Sequence, residues 1–221
     1  IKAYHDKDKP VIDLINTIDS PYITARTAAD FYELGKIVGQ YIHDDSNEQK
    51  GNVIWLPGPK GAGWSEAGNR GFNEVMQSSH LSLVDTLWGD TGLKAQTTLL
   101  KDQLQKSNDI QYIVGTAVSA ESAISLTRRY SPDVDNKIIS YYFSPGVYRG
   151  ITRGDIVAAP SDEPVLQSEL AVDIAVKALE NISHPKHISA KIKLFTIDNV
   201  DALDLSGALA PEGFRPVFNV E

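Results

Sequence analysis

The sequence predicts an α/β fold of parallel sheets with helices packed on both faces, and three observations point there. Short apolar runs alternate with helix-length amphipathic segments from residue 9 to residue 143. The strand-like runs carry too many apolar residues to leave a wet face, as strands covered on both sides require. With 221 residues, 42% of them hydrophobic, the chain can bury one generous core or two modest ones, and it carries no repeat and no low-complexity tract.

The elements follow in order. Residues 9 to 18, KPVIDLINTI, read as a buried strand through Val11, Ile12, Leu14, Ile15 and Ile18. After a loop with Pro21, the segment from Thr24 to His43 sets Phe31, Leu34, Val38 and Tyr41 on one helical face. NVIWLPG is the next strand, and Ser65 is placed to cap a helix whose inward residues are Gly68, Phe72, Val75 and Met76. SLVDTLWGD and LKAQTTLLKDQLQKS repeat the strand–helix step, and IQYIVGTAV, SAESAISLTRRY and KIISYYF extend it. Then the rhythm changes to a short amphipathic turn, a brief strand and a polar loop. One long helix from about Val165 to Asn181 is apolar nearly all round, which predicts burial between layers. A strand, AKIKLFTID, and an irregular tail close the chain.

Composition narrows the function classes. The 29 acidic and 21 basic residues give a net charge of -8, without the basic field that nucleic acid needs, so no nucleic-acid partner is expected. The absence of cysteine removes disulfides, thiolate nucleophiles and Cys-based metal sites together. No apolar run approaches the roughly 20 residues of a membrane helix, so no membrane insertion is expected, and the chain does not open on a signal peptide.

The strongest local signal is the loop GPKGAGWSEAG. It is not a Walker loop, because Lys60 stands before the last glycines and no Gly-Lys-Ser/Thr end follows; a Gly-x-Gly-x-x-Gly fingerprint is absent as well. What remains is a strand-to-helix turn at the carboxyl edge of a parallel sheet, where such folds bind ligands. Trp64 in that turn is either a ligand platform or a packing residue. A second aromatic cluster, Tyr141, Tyr142, Phe143 and Tyr148, lies at another strand end; alternation sends Tyr141 and Phe143 to one face and Tyr142 to the other.

The five histidines are scattered and form no metal site, and no nucleophile elbow or His/Asp pair appears, so the sequence predicts neither a cofactor nor an enzyme. Asp13, inside an apolar strand, and Asp162, just before the long helix with Pro164 in its first turn, are the acids with unusual surroundings.

The motifs PVIDLINT, the Gly-containing turn leading to NRGF, IVGTAVSAESAI and GITRGDIVAAPSDEPVLQSELAVDIAVKAL resemble the periplasmic-binding-protein type I family, shared by sugar-binding proteins and the effector domains of LacI-type repressors. LPGPKGAGWSEAGNRGF and the tail GFRPVF look more like those members that detect trimethylamine N-oxide for a membrane sensor histidine kinase. The resemblance implies two lobes: residues 1–51 with 163–189, and 52–162 with 190–205, followed by a tail at 206–221. It also implies that an opening βαβαβ portion of the first lobe lies outside this chain. Where sugar binders of the fold place an arginine, this sequence has Glu66.

On that resemblance the expected setting is the periplasm, the expected ligand trimethylamine N-oxide and the expected partner the kinase ectodomain. An aromatic face attracts a methylated, formally positive nitrogen by roughly 0.5 to 2 kcal/mol. Trp64 with Tyr142, Phe143 and Tyr148 is the expected half-cage, with Asp162 and Ser161 on the hinge side and Asn16 and Tyr22 at the lip of the first lobe. A transport component delivering a sugar or small amine to a permease and a repressor effector domain are the competing expectations.

Overall fold

The computed structural model describes residues 1–107 and 109–218. After a short helix α1 (Lys2–His5), the chain forms β1 (Ile12–Ile15), β2 (Ala25–Ala28), α2 (Phe31–Asp45), β3 (Asn52–Gly58), α3 (Gly63–Met76), β4 (Ser82–Trp88), α4 (Leu93–Lys106), β5 (Tyr112–Gly115) and α5 (Ala117–Tyr130). It continues with β6 (Lys137–Ser140), α6 (Pro145–Thr152), β7 (Ala158–Ser161), α7 (Pro164–Leu179), β8 (His187–Ile188) and β9 (Lys193–Thr196). Two sheets result. A small one has the order β1-β2-β8, and a larger one β4-β3-β5-β6-β7-β9. All pairings are parallel except the last, where β9 runs antiparallel to β7.

The large sheet is covered on both sides, and the period of two in its strands assigns the faces. Val53, Trp55, Val114 and Ile139 point to one core with Leu34, Val38 and Ile42 of α2 and Phe72 of α3. Ile54, Leu56, Ile113 and Ile138 point to the other, against Leu100 and Leu104 of α4, Ala120 and Ala123 of α5 and Ile151 of α6. This is why NVIWLPG carries no polar alternation.

Four details differ from the sequence expectation. Residues 25–28, in the Ala- and Thr-rich ARTA, form β2, and the helix starts at Phe31, where Asp30 accepts from the Glu33 N–H. Pairing with β1 and β8 outweighs a composition that reads as helical. Ser65 does not cap α3, which begins at Gly63; its hydroxyl instead donates to the carbonyls of Pro59 and Ala62. The long helix α7 lies on β1 and β2. It buries Gln167, Ala171 and Ile174, while Val172 is 63% and Leu179 60% exposed, so within these 221 residues only one of its sides is covered.

The fourth concerns the lobes. The expected division assigned residues 1–51 to the first, yet α2 packs on α3 through a seam of glycines. A Cβ on Gly35 would meet the Gly68 carbonyl oxygen at 2.1 Å, and one on Gly71 the Tyr32 oxygen at 2.0 Å. So close a helix contact ties α2 to the large sheet, leaving β1, β2, β8 and α7 as the small unit. Among the described residues no helix is long and apolar enough to cross a membrane.

Candidate ligand-binding site

A cavity of about 370 Å³ opens at the carboxyl ends of both sheets. Its walls come from the small sheet (Ile15, Asn16), the large unit (Phe31, Trp64, Thr91, Tyr142, Phe143) and the crossing between them (Asp162, Pro164). Ligands of open α/β folds bind in such crevices.

The aromatic wall is built from three strand or helix ends. Trp64 sits in the first turn of α3, with its ring centroid 5.8 Å from Phe31 and 6.2 Å from both Tyr141 and Tyr142. Gly58 ends β3 at φ +111°, and a Cβ there would stand 2.4 Å from Trp64 Cη2, so only glycine both makes this turn and seats the indole. Glu66 accepts from the Gly61 N–H at 2.9 Å and closes the loop that presents Trp64. Behind it, the Tyr141 hydroxyl donates to the carbonyls of Phe31 (3.0 Å) and Trp64 (3.2 Å), fixing both rings from below. Burial raises the Tyr141 phenol well above its ordinary value and raises that of Tyr142 as well; contacts with Thr116 and the Ala117 N–H oppose the latter shift. Both phenols are neutral rings at ordinary pH.

On the opposite lip, Ile15 holds φ +64°, a conformation that costs a β-branched residue, and the Asn16 N–H folds back on the Leu14 carbonyl at 2.7 Å. This tight turn delivers the exposed Asn16 side chain to the cavity edge.

The crossing supplies the acid. Asp162 is 8% exposed, and Gln167 Nε2 donates to its carbonyl oxygen (2.6 Å) and to Oδ2 (3.1 Å). Burial, opposed by hydrogen bonds from its own backbone N–H and from Gln167 and reinforced by neighbouring Glu163, holds the Asp162 carboxyl above the usual carboxylate range. Glu163 itself is 2% exposed at φ +57° and pairs with Lys193 Nζ of β9 at 2.9 Å.

Of the residues expected at a site, the structure gathers Asn16, Trp64, Tyr142, Phe143 and Asp162 around one cavity. It sets three elsewhere. Tyr148 on α6 packs against the core, edge-on to Phe143 at 6.4 Å. The Ser161 hydroxyl is fully buried and accepts from the Glu163 N–H. Tyr22 lies against His5 at 5.2 Å, under Lys2.

Tyr141 and Phe143 do not share a face, because β6 stops at Ser140 and the alternation stops with it; Tyr141 joins the core under α2, and Phe143 stacks on Phe195 at 4.5 Å. Asp13 is structural, accepting from Arg26 Nε and the Ile18 N–H. Phe31, Ile15 and Thr91 were missed by sequence reasoning. Phe31 looked like one more residue of a helix face, and its only signal is that it directly follows the capping Asp30 at a strand end. No group of three metal-ligating side chains occurs among the described residues.

A family model described as periplasmic binding protein domain matches residues 1–183. Periplasmic protein TorT of Escherichia coli (strain K12) is 34% identical over 209 residues, which is 95% of this chain and 60% of that protein. The chain thus spans about 60% of the length of the curated relatives it matches. An ABC transporter solute binding protein from Bradyrhizobium sp. BTAi1, solved with bound bis-tris, aligns with a TM-score of 0.87 and 40% identity, over 99% of this chain and 66% of that one. The complex of the TorS sensor domain with TorT in the presence of TMAO aligns with a TM-score of 0.84 and 30% identity, over 96% of this chain and 72% of that one. A two-sheet α/β chain with a crevice at its strand ends, matched by that model over most of its length, belongs to the periplasmic binding protein family, as a TorT-like member located in the periplasm.

Proposed function

We propose that this chain carries the ligand cavity of a sensor component that binds trimethylamine N-oxide (TMAO) and reports its presence to a TorS-type membrane histidine kinase, without catalysing a reaction. The observation that carries the reading is the half-cage of Phe31, Trp64, Tyr142 and Phe143, with no basic side chain on its wall. Ring faces attract the methylated nitrogen, and the Asn16 amide is a donor for the oxygen. Ligand favours one arrangement of the two units, and a kinase ectodomain that prefers one arrangement is biased in turn. The likeness to TorT, and to TorT in complex with the TorS sensor domain, supports this partner class.

A second reading is a transport component for a small amine or a sugar, favoured by the 40% identity to the Bradyrhizobium solute binding protein. The test is calorimetric titration of the full-length protein with TMAO, bis-tris, a pentose and a hexose, beside co-elution with a TorS-type sensor domain. The sensor reading requires TMAO binding and a stable complex. Tight sugar binding with no complex would replace it by the transport reading.

A further inference from the structure

Asp162 is the carboxylic acid among the residues lining the cavity. Gln167 Nε2 donates to Oδ2, and the carboxylate also accepts from its own backbone N–H. The charged groups around it do not compensate it. Glu163, in the same turn, is of like sign; Lys193 from β9 is committed to Glu163 and to the Asp204 carbonyl; Asp30 caps α2 beyond Tyr141; and Arg26 of the small sheet is committed to Asp13 and the Ile18 carbonyl. Gln167, Tyr141, Tyr142, Asn16, Thr91, Thr27 and Ser161, polar side chains at this end, are neutral.

We propose that Asp162 determines which alkylated nitrogen compound the cavity accepts, by sharing one proton with the oxygen of an amine oxide. This deepens the function proposed above and rests on it. The oxygen of TMAO carries the negative end of its dipole, so it and an ionised carboxylate repel unless a proton lies between them. With that proton, the pair forms a charge-assisted O–H···O bond inside a ring-lined cavity, where such bonds are strong. The N–O bond stays intact and no covalent bond to carbon forms. The proton comes from solvent whenever the free carboxyl is ionised, so binding consumes up to one proton. Burial already holds the carboxyl above its ordinary range, which lowers the cost of protonating it. A permanent cation such as tetramethylammonium makes the opposite demand: it pairs with the carboxylate and expels the proton.

The experiment is a pH-stat titration of the full-length protein in unbuffered salt, with affinity followed by tryptophan fluorescence from pH 5 to pH 8.5. TMAO is expected to bind with proton uptake approaching one per ligand and with affinity falling about tenfold per pH unit above the carboxyl's own titration. Tetramethylammonium is expected to release protons below that titration, to bind more tightly as pH rises towards it, and to be flat above it. Asp162→Asn should keep a donor for the oxygen while losing both proton uptake and pH slope. The opposite slopes in the wild-type protein need no variant and stand even if the variant misfolds. TMAO binding that is flat in pH, or uptake that persists in Asp162→Asn, overturns this proposal and leaves the proposed function intact. Absence of TMAO binding, with tetramethylammonium still releasing protons through Asp162, overturns the proposed function and the proton sharing with it, and leaves Asp162 as the contact of a cation. No binding of either ligand overturns both.

Discussion

Gly68 and Tyr141 are mutually dependent: a Cβ on Gly68 would stand 1.8 Å from the Tyr141 hydroxyl oxygen and 2.3 Å from Cζ. The missing methyl of one residue is therefore the seat of the other, and that phenol fixes the carbonyls of Phe31 and Trp64. Gly68→Ala is expected to cost about 1–3 kcal/mol through overpacking and to loosen the aromatic wall. Tyr141→Phe, which keeps the ring and loses two hydrogen bonds, should cost about 1 kcal/mol. Urea unfolding of the full-length protein measures both, and equal stability of Gly68→Ala and wild type would refute the dependence.

Trp64 is expected to contribute one ring face to the ligand. Trp64→Ala should weaken TMAO binding by about 2- to 30-fold, the equivalent of roughly 0.5–2 kcal/mol. Gly58→Ala should produce a similar loss by displacing the indole. Calorimetry checks both, and unchanged affinity in Trp64→Ala removes this residue from the cage.

Asp162 makes stability depend on pH in a fixed direction. Its folded-state carboxyl titrates above the ordinary value of 3.8, so the folded chain binds the proton more tightly than the unfolded chain. The resulting stabilisation is complete below that value and is lost as pH rises through the folded-state titration. Asp162→Asn, which keeps an acceptor for Gln167 Nε2, should therefore gain in melting temperature relative to wild type as pH rises from 4 to 8. A constant difference across that range would contradict the linkage.

The Glu163–Lys193 pair links the start of α7 to β9. Lys193→Met leaves the nearly buried Glu163 carboxylate without its counter-ion and is expected to cost about 2–3 kcal/mol, discounted from a fully buried pair because Lys193 is about a third exposed. A loss below 0.5 kcal/mol in urea unfolding, the level roughly expected of surface changes, would show that solvent satisfies this carboxylate.

In this 221-residue chain, helix α7 should tolerate change on one side only. Ile174→Ala, on the buried side, should cost about 2–4 kcal/mol, whereas Val172→Ala, on the open side, should stay within about 0.5 kcal/mol. Equal losses at the two positions, again by urea unfolding, would mean that the outer face is covered.

The alternation of strands and helices was legible because the inner strands β3, β5 and β6 are buried on both faces and helices α2 and α3 each carry an apolar stripe. β2 was not, since ARTA owes its extended form to β1 and β8 rather than to its own preferences. The same limit governed the site. Trp64, Tyr142, Phe143 and Asp162 stood out because they follow strand ends, at the edge of a parallel sheet where side chains can face a crevice. Phe31 and Ile15 did not, because their roles depend on where a helix begins and on a backbone turn that only tertiary contacts impose. Ser161, Tyr22 and Tyr148 neighbour the right segments in sequence, yet each side chain is satisfied elsewhere.

The Gly207 carbonyl accepts hydrogen bonds from the N–H groups of Val165 and Leu166, and a side chain on Gly207 would collide with Glu163 Oε2. Helix α7 is thus stoppered by a peptide unit some forty residues downstream, so trimming the chain before residue 205 uncaps it. Any swing of α7 about the crossing must carry that turn along as a passenger.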